Sequence, residues 1–155
     1  MDRSAVYDFV AQARNCALVM GDNANYIRIE LPNVEMTTAL RAQTELLCTS
    51  LLATQIEVMG ELVALSDLPR SESPAAVTRS RVRHIVQLCR EEVGRVDDLV
   101  VALQTASDQD GAYALASVLV TESATNILNA VNRTEALADS LAADANGDAP
   151  VHGEQ

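Results

Sequence analysis

Long runs of helical periodicity with few breakers dominate this 155-residue sequence. Only four prolines and six glycines are present. Apolar residues recur at intervals of three and four between Pro32 and Pro69, and again after Pro74. Helices of more than about 30 residues need to pack along other helices to be stable in water. We therefore predict an all-α fold: an elongated antiparallel helical bundle with three long helices and a shorter N-terminal helix.

Capping signals place the ends of the four predicted helices. Their predicted ranges are 4–20, 34–68, 74–107 and 110–144. Gly21 is the predicted C-cap of the first helix, and Asn33 is the predicted N-cap of the second. Ser73 and Pro74 suit the N-cap and the first residue of the third helix.

Two glycines, Gly60 and Gly94, lie inside the predicted helices. Glycine in a helix interior costs about 1 kcal/mol relative to alanine. We therefore expect a close helix approach or a local kink at each of them.

The second predicted helix carries two apolar stripes rather than one. The first stripe contains Leu40, Leu47, Leu51 and Val58, and the second contains Leu52, Ile56, Met59 and Val63. Two stripes indicate a helix that is covered from two directions, as in a central helix or one that also meets a second chain. The chain also has more apolar helix surface than one short first helix can cover. These features predict a homodimer with the second helix near the two-fold axis.

Residues 26–31 interrupt the helical pattern, because apolar and charged residues alternate there with the period of a strand. The favoured interpretation is an extended connector that lays Ile27, Ile29 and Leu31 on the bundle. A strand edge offered to a partner and a continuation of the helix are the alternatives.

Residues 1–145 are predicted to form one helical domain, followed by a disordered tail over 146–155.

The acidic N-terminus lacks the positive and apolar segments of a signal peptide, so we expect a cytoplasmic protein. Arginine supplies all 11 basic residues. With abundant alanine, valine and aspartate, this composition is typical of a GC-rich bacterial or phage genome.

The three cysteines, Cys16, Cys48 and Cys89, are far apart and form no Cys-x-x-Cys pair. This spacing predicts buried free thiols rather than a disulfide framework or a zinc site. If the second and third helices form a hairpin, Cys48 lies within one helical turn of the level of Cys89.

Several function classes are excluded by composition. Without lysine there is no Walker-type or Schiff-base lysine, and a net charge of −11 opposes nucleic-acid binding. No uninterrupted apolar run reaches the roughly 20 residues of a membrane span. Only two histidines, His84 and His152, are present, and neither belongs to a His-Glu-x-x-His or Glu-x-x-His motif. We predict a chain with no catalytic residues, metal site or cofactor.

An arginine cluster on the third helix is the most distinctive local chemistry. The candidate residues for an anionic ligand or acidic partner are Arg79, Arg83, His84 and Arg90. The favoured interpretation is structural: the arginines form ion pairs with acidic residues of the second and fourth predicted helices, and these pairs help set the register between the helices. In that interpretation Arg79 is level with Glu61, Arg83 with Glu57 and Arg81 with Glu135.

The fourth helix has a polar face that contains Glu122, Asn126, Asn129 and Arg133 at spacings of four, three and four. Asparagine is a mediocre helix former, so this face is a candidate surface for a partner. A plain solvated face is the favoured alternative.

Together these observations predict a non-catalytic protein–protein interaction module, such as an adaptor, chaperone, immunity protein or phage-type inhibitor. The alternative is a helical sensor that binds a small anionic ligand through the arginine cluster. The protein partner is not identifiable from the sequence.

Overall fold

The computed structural model describes residues 3–67 and 75–153, with the side chains of the last helix described as far as Ala143. Four long helices occupy this part of the chain: α1 (Arg3–Glu30), α2 (Thr38–Asp67), α3 (Ala75–Gln109) and α4 (Ala114–Gly153). No strand occurs in these described ranges, so the predicted all-α bundle is confirmed. The N-cap predicted at Ser73 lies outside the described residues. The tail predicted for 146–155 lies beyond the described side chains and stays a prediction.

The helices pack in a ring, in which α1 and α3 each contact both α2 and α4. Neighbouring helices are antiparallel, because rising residue numbers on one helix meet falling numbers on the next. Gly21 of α1 lies against Gln55 of α2, and Arg28 donates a hydrogen bond to Thr49 over 3.2 Å. Such an up-and-down order follows from short connections between successive helices.

The inner faces of the four helices form one apolar core. Its largest fully buried side chains are Phe9, Met20, Ile27, Leu31, Leu51, Leu65, Ile85, Leu99, Leu103, Ile127 and Leu141. Each side chain of this kind contributes roughly 1.5–3 kcal/mol relative to an exposed position. The core-facing row of α3 runs from Val82 through Ile85 and Cys89 to Leu103. Of the two stripes predicted on α2, the first is buried at Leu47, Leu51 and Val58 and half-buried at Leu40. In the second, Leu52 and Met59 are half-buried against the core, whereas Ile56 and Val63 are exposed.

Helix α1 is longer than predicted, since Arg3–Glu30 replaces the range 4–20. It continues through Gly21, which is helical rather than a left-handed C-cap, and no described residue has a positive φ. A Cβ at this position would lie 2.2 Å from Oε1 of Gln55. Glycine is therefore used here to admit a side chain of α2, not to end the helix.

The extended connector predicted for residues 26–31 is wrong, and the helical alternative is right. Ile27 and Leu31 are four residues apart and both are buried, whereas Ile29 is 68% exposed. A six-residue alternation does not separate a strand from a helix whose i and i+4 positions are apolar. A short 3₁₀ turn, Leu31–Asn33, then ends this segment.

The starts of α2 and α4 depend on side-chain caps. Thr37, not the predicted Asn33, caps α2, since its Oγ1 accepts a hydrogen bond from the backbone N–H of Leu40 over 3.2 Å. Before α4, Asp110 accepts a hydrogen bond from the backbone N–H of Ala112 over 3.0 Å. A 3₁₀ turn then leads into the helix.

Of the two alternatives expected at Gly60 and Gly94, the close helix approach is absent within the described chain, because nothing lies within 4 Å of a Cβ built at either residue. We expect Gly94→Ala to raise the free energy of unfolding by about 0.5–1 kcal/mol, since alanine restricts the unfolded chain and has the higher helix propensity. Urea denaturation measures this gain. A loss of stability would show that Gly94 has a role that the fold of one chain does not explain.

Candidate functional site

The interface between α2 and α3 uses the two predicted carboxylates, Glu57 and Glu61, but pairs them with other basic residues than predicted. Arg81 donates to Oε2 of Glu61 over 3.0 Å, and Nε2 of His84 lies 3.9 Å from Oε1 of Glu57. All four side chains are partly exposed, so these pairs are worth about 0–1 kcal/mol each. His84 is thereby separated from the arginines with which it was grouped as a candidate.

Arg79 and Arg83 face α4 instead of α2, so their predicted pairing with Glu61 and Glu57 is wrong. They line a cleft of about 350 Å³ between α3 and α4. Its apolar wall contains Val82, Val86, Ala138, Leu141 and Ala142. Among the described residues, neither guanidinium has a hydrogen-bonding or ion-pairing partner.

Arg90 lies further along the same cleft and is already neutralised. It forms an ion pair with Glu135 of α4 and donates a hydrogen bond to Oδ1 of Asn132 over 2.8 Å. The prediction that Arg81 meets Glu135 is therefore wrong. The turn before α4 lies at 110–113 rather than near Asp108, which shifts the α3–α4 register by more than one helical turn.

The polar face of α4 meets a polar face of α1 across a second cleft, of about 270 Å³. Its polar side chains are Asn126, Asn129 and Arg133 of α4, with Asn15, Asp22 and Asn23 of α1. Nδ2 of Asn126 donates to Oδ1 of Asn23 over 3.5 Å. Three predicted candidates are thus brought together, whereas Glu122 is exposed outside the cleft.

The outer face of α2 is exposed and mostly apolar, and Thr49 on this face accepts a hydrogen bond from Arg28 of α1. Its exposed residues repeat at alternating steps of three and four: Leu46, Thr49, Ala53, Ile56, Gly60 and Val63. The three largest, Leu46, Ile56 and Val63, are 71%, 74% and 64% exposed. No charged residue belongs to this row, which we call the α2 seam. A sustained row of this spacing is the pattern along which helices pack in a coiled coil.

A buried carboxylate lies inside the α2–α3 interface. Oε1 of Glu92 accepts hydrogen bonds from Ser50 over 2.6 Å, Thr54 over 2.7 Å and Arg95 over 2.8 Å. The Glu92 side chain is fully buried, and Oε2 has no hydrogen-bond partner in the described part of the chain. Glu92 is not among the candidate residues predicted from the sequence.

The cysteines are buried and free, as predicted, but the close pair is Cys16 and Cys89 rather than Cys48 and Cys89. The two sulphur atoms lie 4.0 Å apart. The hydrogen bond with Cys16, reinforced by burial, raises the pKa of Cys89. Burial raises the pKa of Cys48 to about 11. Both thiols are therefore neutral at physiological pH.

Two segments of the bundle, Thr38–Asp67 and Gly111–Ala143, are long and apolar enough to cross a membrane when judged by length and composition alone. Core helices of soluble proteins pass the same test.

Within the described ranges, no group of three or more histidine, cysteine or acidic side chains is arranged to hold a metal ion. Comparison with family models, curated proteins and solved structures found no match.

Proposed function

We propose that this protein is a non-catalytic protein–protein interaction module that works as a homodimer paired through the α2 seam. The observation that carries the proposal is the exposure of Leu46, Ile56 and Val63 in a heptad-like row on a helix whose opposite face is buried in the core. When a second helix covers large aliphatic side chains at this spacing, their burial lowers the free energy of the dimer. The other faces of the bundle are then available to a protein partner.

Side-chain sizes along the seam favour an antiparallel partner of the same sequence. If the two-fold axis passes between Thr54 and Gln55, each central layer pairs a larger residue with a smaller or matching one. The layers are Leu46 with Val63, Thr49 with Gly60 and Ala53 with Ile56 of the second copy. A parallel dimer would instead place Ala53 on Ala53 and Gly60 on Gly60, which leaves gaps that lose packing energy.

Charge along the seam supports the same arrangement. In the antiparallel register, Glu45 is level with Ala64 of the second copy and Glu57 is level with Leu52, so no two carboxylates lie at the same level. A strongly acidic chain without lysine is repelled by anionic lipid surfaces, so a membrane suits this apolar face less well than a second copy does. In this register Gly60, which has no side chain, leaves room for the Thr49 side chain of the second copy.

Ile56→Glu is expected to convert the dimer into a monomer at micromolar concentration. The substitution places two carboxylates, one from each copy, beside the two-fold axis, and their burial weakens association by about a hundredfold or more. Sedimentation equilibrium measures the molecular mass of both forms, and circular dichroism checks that the helices are retained.

Val101→Glu is the matched control, since Val101 is an exposed aliphatic residue on α3 outside the seam. This variant is expected to remain a dimer. The homodimer is ruled out if the unmodified chain sediments as a monomer throughout the micromolar range, or if both variants dissociate equally.

A further inference from the structure

We propose that the cleft between α3 and α4 binds a small monoanionic amphiphile, a carboxylate with an apolar tail of about ten carbons. The cleft lies on the side of the bundle away from the α2 seam, because α4 does not pack beside α2 in the ring. The proposal is therefore independent of the proposed homodimer.

The charge balance of the cleft selects the headgroup. Arg90 and Glu135 neutralise each other, which leaves Arg79, Arg83 and the carboxylate of Asp139 along the lining. Their sum is one positive charge. A single carboxylate balances this charge, whereas a dianionic phosphate leaves an excess negative charge near Asp139.

Arg79 and Arg83 are placed to hold one carboxylate between them. They are four residues apart on a helix, so their side chains leave the same face of α3 as neighbours. Arg28, Arg81, Arg90 and Arg95 each contact a carboxylate of this chain, but these two contact none in the described residues. Adjacent unpaired guanidinium groups repel each other until an anion binds, and charge-assisted bonds from arginine to carboxylate are among the stronger hydrogen bonds.

The apolar wall of the cleft selects the tail. The apolar surface that water reaches in this wall belongs to the half-buried Val86 and Ala138 and to the exposed Ala142. The wall also includes the buried core residues Val82 and Leu141. A purely inorganic anion leaves this apolar surface in water, whereas an alkyl or aryl group covers it. At roughly 30 Å³ per atom, a volume of about 350 Å³ accommodates about a dozen non-hydrogen atoms. Decanoate has this size.

Calorimetric titration with decanoate tests the site directly. We expect saturable one-to-one binding that is at least about tenfold tighter than that of 1-decanol or acetate, because each of these ligands offers only one of the two features. Arg79→Gln with Arg83→Gln is expected to weaken decanoate binding by at least about tenfold. Arg81→Gln is the matched control: it removes one arginine from the same helix outside the cleft, and decanoate binding is expected to be unchanged.

A second measurement does not depend on variants that fold. In the unmodified chain, decanoate is expected to shift the backbone amide resonances of Val86 and Ala138, which line the cleft, before those of residues on α1. The proposal is overturned if decanoate does not bind, if 1-decanol or acetate binds equally well, or if the double variant binds decanoate as tightly as the unmodified chain does. Retention of decanoate binding in Ile56→Glu separates this site from the dimer.

Discussion

Replacing Arg95 with methionine is expected to lower the free energy of unfolding by about 3 kcal/mol, the largest effect we expect of any single partly exposed side chain. Among the described residues, Arg95 supplies the one positive charge that contacts Glu92, and the Glu92 side chain is fully buried. Removal of one member of such a pair leaves an uncompensated charge in a medium of low dielectric constant, which typically costs 3–5 kcal/mol. Half of the Arg95 side chain is in solvent, so we expect the lower end of that range. Urea denaturation measures the loss.

Glu92→Leu is expected to behave in the opposite way and to leave stability unchanged or raise it by about 1–3 kcal/mol. An apolar side chain needs no partners, and replacement of buried ionic groups by well-packed aliphatic ones is often neutral or favourable. The freed hydroxyls of Ser50 and Thr54 can turn to backbone carbonyls of their own helix, as Thr44 already does over 2.7 Å. A larger loss of stability in Glu92→Leu than in Arg95→Met would contradict this account. It would show that the buried carboxylate itself stabilises the fold.

Cys48 is expected to react with iodoacetamide at pH 8 at least about a hundredfold more slowly in the folded chain than in the unfolded chain. Burial raises its pKa from 9.0 to about 11, and each pKa unit lowers the thiolate fraction tenfold. The same shift predicts a pH dependence of stability. The unfolded thiol ionises first, so the stability contributed by neutral Cys48 is complete below about pH 9 and is lost as the pH rises through about 11.

Cys48→Ala is the control for both effects. Its free energy of unfolding is expected to fall less between pH 9 and pH 11 than that of the unmodified chain, because the shifted thiol is absent. Mass spectrometry after timed alkylation measures the reactivity of each cysteine. Fast labelling of Cys48 in the folded protein at pH 8 would contradict its placement in the core.

The helices were predictable where their apolar spacing was long and regular. The inner stripe of α3, from Val82 to Leu103, spans six turns, and no strand or loop interpretation fits that length. The error at the end of α1 arose because Gly21 looks the same in sequence whether it ends a helix or admits a neighbouring side chain. Only the position of Gln55 on another helix distinguishes the two.

The candidate residues were less predictable, because their partners depend on helix rotation and register. A rotation of about half a turn decides whether Arg79 or Arg81 faces α2, and the shift of the turn before α4 decides which arginine meets Glu135. Glu92 lies between Cys89 and Val96 in the core-facing row of α3, and this position indicates burial. A second signal is on α2, where Ser50 and Thr54 place two hydroxyls one turn apart beside the core-facing side.

The pairing of α2 seams is the claim on which the proposed function depends, and distances between two spin labels in the dimer test it most directly. The label is attached to a cysteine introduced at Glu45 or at Glu57, which flank the seam, while the buried native cysteines stay unlabelled. At a rise of about 1.5 Å per residue, the antiparallel register separates the two Glu45 sites by about 28 Å along the helix axes and the two Glu57 sites by about 8 Å.

Glu45→Cys is therefore expected to give a spin–spin distance about 20 Å longer than Glu57→Cys does. Equal, short distances at both positions would indicate parallel helices. The absence of any intermolecular distance at either position, in a chain that remains folded, would contradict the pairing of α2 with a second copy.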